Sequence, residues 1–81
     1  MNVNEIVSDS DIDIAWGNSD FGDITRREVI KSSLLKYACG FRTGYTASSI
    51  LRELLLITTR NTITKKGKQY LFAAYSDGHS L

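Results

Sequence analysis

Lys65, Lys66 and Lys68 crowd the run Thr64-Lys65-Lys66-Gly67-Lys68-Gln69-Tyr70-Leu71, where a helix is expected to begin. A helix start carries free amides and the positive end of the helix dipole, so it already suits phosphate. Three ammonium groups there are unfavourable until an anion sits beside them. A phosphate-backbone contact is one reading of this run; flexible lysines on a solvated face is the other. Arg42, Arg52 and Arg60 extend the basic set. Thr43, Tyr45, Ser48 and Ser49 lie around the entrance to a second helix. They are placed either to meet phosphates and base edges or to cap and solvate that helix.

Other chemistry is thinly represented. Asp9, Asp11 and Asp13 stand at i, i+2 and i+4 like the opening of a calcium loop, but the glycine and bidentate glutamate of such a loop are missing. Cys39 and His79 fall in different segments, so no zinc-type cluster is expected. Cys39, at the end of an apolar helix face, is read as a packed core or boundary residue. No phosphate loop, nucleotide fingerprint or nucleophile elbow is present. The expectation is a non-enzymatic protein with no catalytic residue, metal or cofactor.

The size of the chain agrees. Eighty-one residues make one domain at most. A chain of this length buries only about 60% of its unfolded surface, which leaves little packing to give up for a deep cleft. One cysteine allows no internal disulfide, so a reducing, cytoplasmic setting is expected. Residues 1–18 lack the basic and apolar regions of a signal peptide. The apolar run Leu54-Leu55-Leu56-Ile57 is too short to cross a membrane.

A near-neutral total of +1 conceals a division of charge. Residues 1–23 hold six carboxylates and no Lys or Arg, a net −6. Residues 24–81 hold ten bases against three acids, a net +7. Such asymmetry points to a surface for a polyanion or to an arm that folds onto the body. The acidic N-terminal arm, 1–23, shows no helical periodicity, and its first ten or so residues are expected to be mobile. Trp16 and Phe21 are placed to pin it down as a lid.

The elements that must position the basic residues follow from the rest of the chain. Thr25-Arg26-Arg27-Glu28 is a capping box, with Ile24 and Val29 at the staple positions. It opens a helix to about Cys39, whose apolar face is Ile30, Leu34, Tyr37, Ala38 and Phe41. Gly40 is placed to end it in the left-handed conformation. Thr46 is a suitable cap for a second helix, roughly 47–56, with an apolar stripe of Ala47, Ile50, Leu51, Leu54 and Leu55. The β-branched stretch 56–64 predicts a small hairpin with Arg60-Asn61 at its tip. A last helix is expected from near Thr64 to Tyr75, with Tyr70, Leu71, Ala74 and Tyr75 inward. Gly67 in its first turn weakens that start by about 1 kcal/mol relative to Ala. The tail 77–81 is expected to fray.

The run from Gly44 to Ile57, followed by Ile63 to Leu71, resembles winged helix-turn-helix regulators. In that family a helix of the form Thr-x-x-x-Ile-x-x-x-Leu leads to Gly-Leu-Ile, a short wing, and Leu-Thr-x-Lys-Gly-x-x-Tyr-Leu. The match is similar in flavour to small phage or prophage proteins. Here Leu55 stands where the family has Gly, and one helix of a complete winged domain is missing unless the arm supplies it. The resemblance implies a second helix near DNA and Arg60 in a wing.

Together these readings predict a mainly α, three-helix domain with a short β-hairpin, winged-helix-like, over residues 24–81. The expected function is DNA binding in transcriptional control. Arg42, Arg52, Arg60, Lys65, Lys66 and Lys68 would contact phosphates, and Ser48, Ser49 and Arg52 would read bases. The rival is a protein-interaction module of the inhibitor or adaptor kind, using the apolar Leu54–Ile57 region or the acidic arm. No membrane partner is expected, and a homodimer is compatible with a half-buried second helix.

Overall fold

The acidic arm contains helix caps. In the computed structural model, which describes residues 2–76, the side chain of Asn2 accepts from the amides of Asn4 and Glu5 and starts a one-turn helix, α1 (Val3–Ile6). Ser8 starts α2 (Asp9–Trp16) through a reciprocal capping box: its hydroxyl accepts from the Asp11 amide at 3.1 Å, and the Asp11 carboxylate accepts from the Ser8 amide at 3.3 Å. Val7 and Ile12 occupy the staple positions around that cap and both are buried. The expectation of a non-helical arm with a mobile start is therefore corrected. Asp9, Asp11 and Asp13, the fragment of a calcium loop, lie on α2 instead.

Thr25 caps α3 (Arg26–Ala38) through the Glu28 amide, but the return bond of the box is replaced. The Glu28 carboxylate turns to Lys31 at 3.5 Å, and Ile24 is exposed rather than stapled. Gly40, at φ +88°, ends α3 as expected. The Gly40 amide donates to Tyr37 and the Phe41 amide to Lys36, the paired bonds of a Schellman turn. Cys39 sits at this C-cap and is exposed, not packed.

Gly44, not Thr46, stands at the N-cap of α4 (Tyr45–Glu53), with no side-chain bond. The end of α4 repeats the Schellman pattern: the Leu55 amide donates to Arg52 and the Leu56 amide to Leu51. Here the left-handed position belongs to Leu55, at φ +62°. This is the place where the winged-helix pattern has glycine, so the backbone keeps the glycine conformation without the glycine.

The predicted hairpin does not form. The chain turns back between Leu56 and Thr64, but its pairing is one antiparallel bridge, Ile57 to Ile63, and no strand occurs among the described residues. The physical reason is length. Residues 58–62 are consumed by a turn in which Thr58 bonds Thr62 through both backbone and hydroxyl, and Asn61 takes φ +65° at the tip. Nothing remains to extend a ladder. Thr64 then begins α5 (Lys65–Ser76): its hydroxyl accepts from the Gly67 amide and donates to the Leu55 carbonyl, tying the start of α5 to the end of α4.

One core holds these elements. Val7, Ile12 and Trp16 from the acidic segment are buried with Ile30, Leu34, Ile50, Leu51, Leu56 and Tyr70. Helix α1 packs on α5, α2 on α4, and α3 on both α4 and α5. Leu54, Leu56 and Ile57 are buried too, so the apolar run considered as a contact surface is core, and only Leu55 faces water. The fold is mainly helical, with five helices rather than three and no sheet among the described residues. No helix among them is long and apolar enough to cross a membrane.

Candidate nucleic-acid interface

The loop after α3 is stiffened at both ends of Arg42. Gly40 fixes the exit from α3. Thr43 is held by Tyr37, whose hydroxyl lies 3.0 Å from the Thr43 hydroxyl and 3.4 Å from its amide nitrogen. Arg42 is exposed between these anchors. The turn 58–62 is stiffened in the same way by its threonines, which places Arg60 at its outer tip. Lys68 follows on the first turns of α5.

These three residues come from segments far apart in the chain, yet they line one open cavity of about 510 Å³ with Tyr37, Phe41, Asn61 and Thr62. Among the described residues no carboxylate lines it. Neither Arg42, Arg60 nor Lys68 forms an ion pair among the described residues; the observed pairs are Arg26 with Asp13, Arg27 with Asp9, and Lys31 with Glu28. The exposed ring of Phe41 adds a flat apolar surface beside the cations.

Arg52 supports this cavity from behind. Its guanidinium donates to the Asn61 side-chain oxygen at 2.8 Å and to the Ser48 hydroxyl at 3.4 Å. It therefore fixes the turn tip through one end of its fork and is tied back to α4 through the other. Ser48, expected on the polar side of its helix, is buried, and its hydroxyl donates to the Tyr45 carbonyl at 2.9 Å. Ser49 remains half-exposed on α4.

The three lysines of α5 divide, Lys65 and Lys68 on one side and Lys66 on another. Lys66 faces the opposite side, where it lines a small cavity with Asp11 and Glu53. Those carboxylates give the helix-start charge a local counterweight. Lys65 lies beside Lys68 and Phe72 along α5. Of the eight residues proposed from sequence, Arg42, Arg60 and Lys68 converge, Arg52 braces them, and Ser48, Ser49, Lys65 and Lys66 lie outside that cavity. Tyr37, Phe41, Asn61 and Thr62 were not foreseen as lining residues. Gly40 and Asn61, both turn-forming, were the only signals that pointed to two loops folding toward each other.

The acidic segment pairs with the start of α3 and not with Arg42, Arg60 or Lys68. Arg26 pairs with Asp13 and also sits over the Trp16 ring, 5.6 Å from its centre. Arg27 donates to Asp9 at 2.8 Å, to Asn4 at 2.7 Å and to the buried Tyr70 hydroxyl at 3.2 Å. Burial pulls the Arg27 pKa down, but the bonds to Asp9 and Tyr70 outweigh it and leave the guanidinium above its ordinary range. The charge split is thus tied together at the start of α3, away from Arg42, Arg60 and Lys68. Trp16 is buried in the core with Phe21 packed against it, and the two rings meet edge to face at 5.5 Å.

No group of three or more His, Cys, Asp or Glu among the described residues is placed to hold a metal ion. His79 lies outside the described residues. No protein-family model matches this chain, and no curated protein or solved structure does either.

Proposed function

We propose that this protein binds DNA as a small regulator, gripping the phosphate backbone in the cavity lined by Arg42, Arg60 and Lys68. The observation that carries the reading is the convergence of three bases from three segments on a surface that no carboxylate among the described residues lines. A guanidinium pair with an ammonium between stiff loops suits phosphate oxygens, which accept forked and single donors alike. The absence of a paired hairpin among the described residues removes the wing of a winged-helix docking mode, so the reading rests on the basic cavity itself. Of the residues expected to read bases, Ser49 on α4 is the one outside the internal bonding that engages Ser48 and Arg52. Arg52 acts through Asn61 as a positioning residue.

The test is anisotropy of a labelled duplex titrated with the full chain at several salt concentrations. The logarithm of affinity should fall linearly with the logarithm of salt, by about 0.9 per phosphate neutralised. Arg42→Ala, Arg60→Ala and Lys68→Ala should each weaken binding and reduce the slope by about one. Lys66→Ala should leave both nearly unchanged. Absence of any binding at about 50 mM salt would end the reading.

A further inference from the structure

We propose that the groove between α3 and α5 docks an acidic, amphipathic segment of a partner protein. The groove has a cavity of about 460 Å³ lined by Leu35, Ala38, Ile63, Leu71, Phe72 and Tyr75, with Lys68 its only charged lining residue among the described residues. Its apolar walls stand in water: Phe72 is 74% exposed, Tyr75 45% and Leu35 40%. A single exposed apolar side chain is ordinary, but a contiguous strip along two packed helices is the kind of surface that marks an interaction site.

The charge around the strip identifies the occupant. At the start of α5, Lys65 and Lys68 border Phe72 in the adjoining depression. At the other end the Lys31 ammonium lies over the Tyr75 ring, 4.8 Å from its centre. Among the described residues no carboxylate lines either depression. Lys31 also pairs with Glu28 at 3.5 Å. An apolar strip with cations at both ends fits a segment with an apolar stripe flanked by Asp or Glu, laid into a two-helix groove. A second copy of this chain fits poorly. A two-fold contact repeats the same patch on both sides, so lysines would meet lysines with no lining carboxylate between them.

The inference is independent of DNA binding. Leu35, Phe72 and Tyr75 do not line the Arg42 cavity, although Lys68 and Ile63 border both. An acidic segment reaching Lys68 would therefore compete with a phosphate there.

The experiment uses the isotope-labelled full chain and two short synthetic helical peptides. Both carry a Leu/Phe stripe; one has flanking Glu, the other flanking Lys. The acidic peptide should shift the amide signals of Leu35, Ala38, Lys68, Phe72 and Tyr75 in a saturable way, and the basic one should not. Phe72→Ser, at a solvent-facing site that leaves the fold intact by circular dichroism, should weaken the acidic peptide about tenfold or more. The same variant should keep its affinity for duplex DNA, and Arg60→Ala should keep its affinity for peptide. No shift in the groove, equal binding of both peptides, or self-association of the free chain that Phe72→Ser abolishes would overturn the proposal.

Discussion

Gly67 and Leu56 are in direct backbone apposition: a Cβ built on Gly67 would lie 2.1 Å from the Leu56 carbonyl oxygen and 2.8 Å from the Ile63 side chain. That oxygen also accepts from the Thr64 amide at 3.0 Å, so it cannot move aside freely. Glycine in a helix costs about 1 kcal/mol in propensity relative to Ala. Here it permits α5 to start directly against the end of the α4 turn. Gly67→Ala should therefore destabilise the fold by about 2–3 kcal/mol despite the propensity gain, as overpacking against a fixed neighbour does. Urea denaturation of the two proteins checks this, and a rise in stability would show that the turn relaxes.

Leu55 should behave in the opposite sense. Its left-handed backbone costs an L-residue about 1–2 kcal/mol, and its side chain is 64% exposed, so little burial compensates. Leu55→Gly should raise stability by about 0.5–1 kcal/mol after the extra flexibility of the unfolded chain is charged against it. Thermal unfolding at matched concentration is the measurement, and an unchanged or lower midpoint would mean that the leucine makes a compensating contact.

Arg27 joins the acidic segment to the core through Asn4, Asp9 and the Tyr70 hydroxyl. Arg27→Met should cost about 1–3 kcal/mol, chiefly by leaving the hydroxyl of buried Tyr70 without its donor. Asp9→Asn should cost under about 1 kcal/mol, because that carboxylate is largely in water. The raised Arg27 pKa supplies stability that is complete below the ordinary arginine range and is lost only above it. It should add no slope to stability between about pH 5 and 9. Denaturation midpoints across that range check the sign.

Trp16 tests whether the acidic segment is integral to the fold. It is buried in the shared core, stacked edge to face on Phe21 and covered by Arg26. Trp16→Ala should cost about 3–5 kcal/mol, as loss of a buried aromatic does. For a chain this small that approaches its whole stability. Loss of cooperative unfolding by circular dichroism is the expected result; a fully folded variant would return the segment to the role of a removable lid.

Much of the architecture was legible in local signals. Thr25 as a cap, Gly40 as a left-handed stop and Asn61 as a turn tip all depend on neighbours within a few residues; the apolar rows hold for Ile30, Leu34 and Tyr37 and for Ile50, Leu51 and Leu54, but Ala38, Phe41 and Leu55 at the ends of those rows are exposed where the Schellman turns redirect the chain. The helices of the acidic segment were legible too, in Ser8-x-x-Asp11 flanked by Val7 and Ile12. The signal was obscured because the box carries Asp rather than Glu and because α2 is only two turns long. Cys39 was misplaced for a different reason. An apolar face predicts direction around a helix, but the Schellman turn at Gly40 carries the chain away from the core one residue later.

The candidate site divides along the same line. Residue types alone decide that the C-terminal part is basic, that Thr64 and Gly67 can start a helix, and that no disulfide can staple the chain, because these depend on identity and short-range sterics. Which bases meet could only be decided in three dimensions. Lys65, Lys66 and Lys68 are neighbours in sequence, but each residue advances about 100° around a helix, so Lys65 and Lys68 share one side of α5 while Lys66 turns to another. Arg42, Arg60 and Lys68 are far apart in sequence, and two stiff turns and one helix end bring them together. The hairpin was lost because a seven-residue return from Leu56 to Thr64 has room for a turn and one bridge, whatever its β-branched residues prefer.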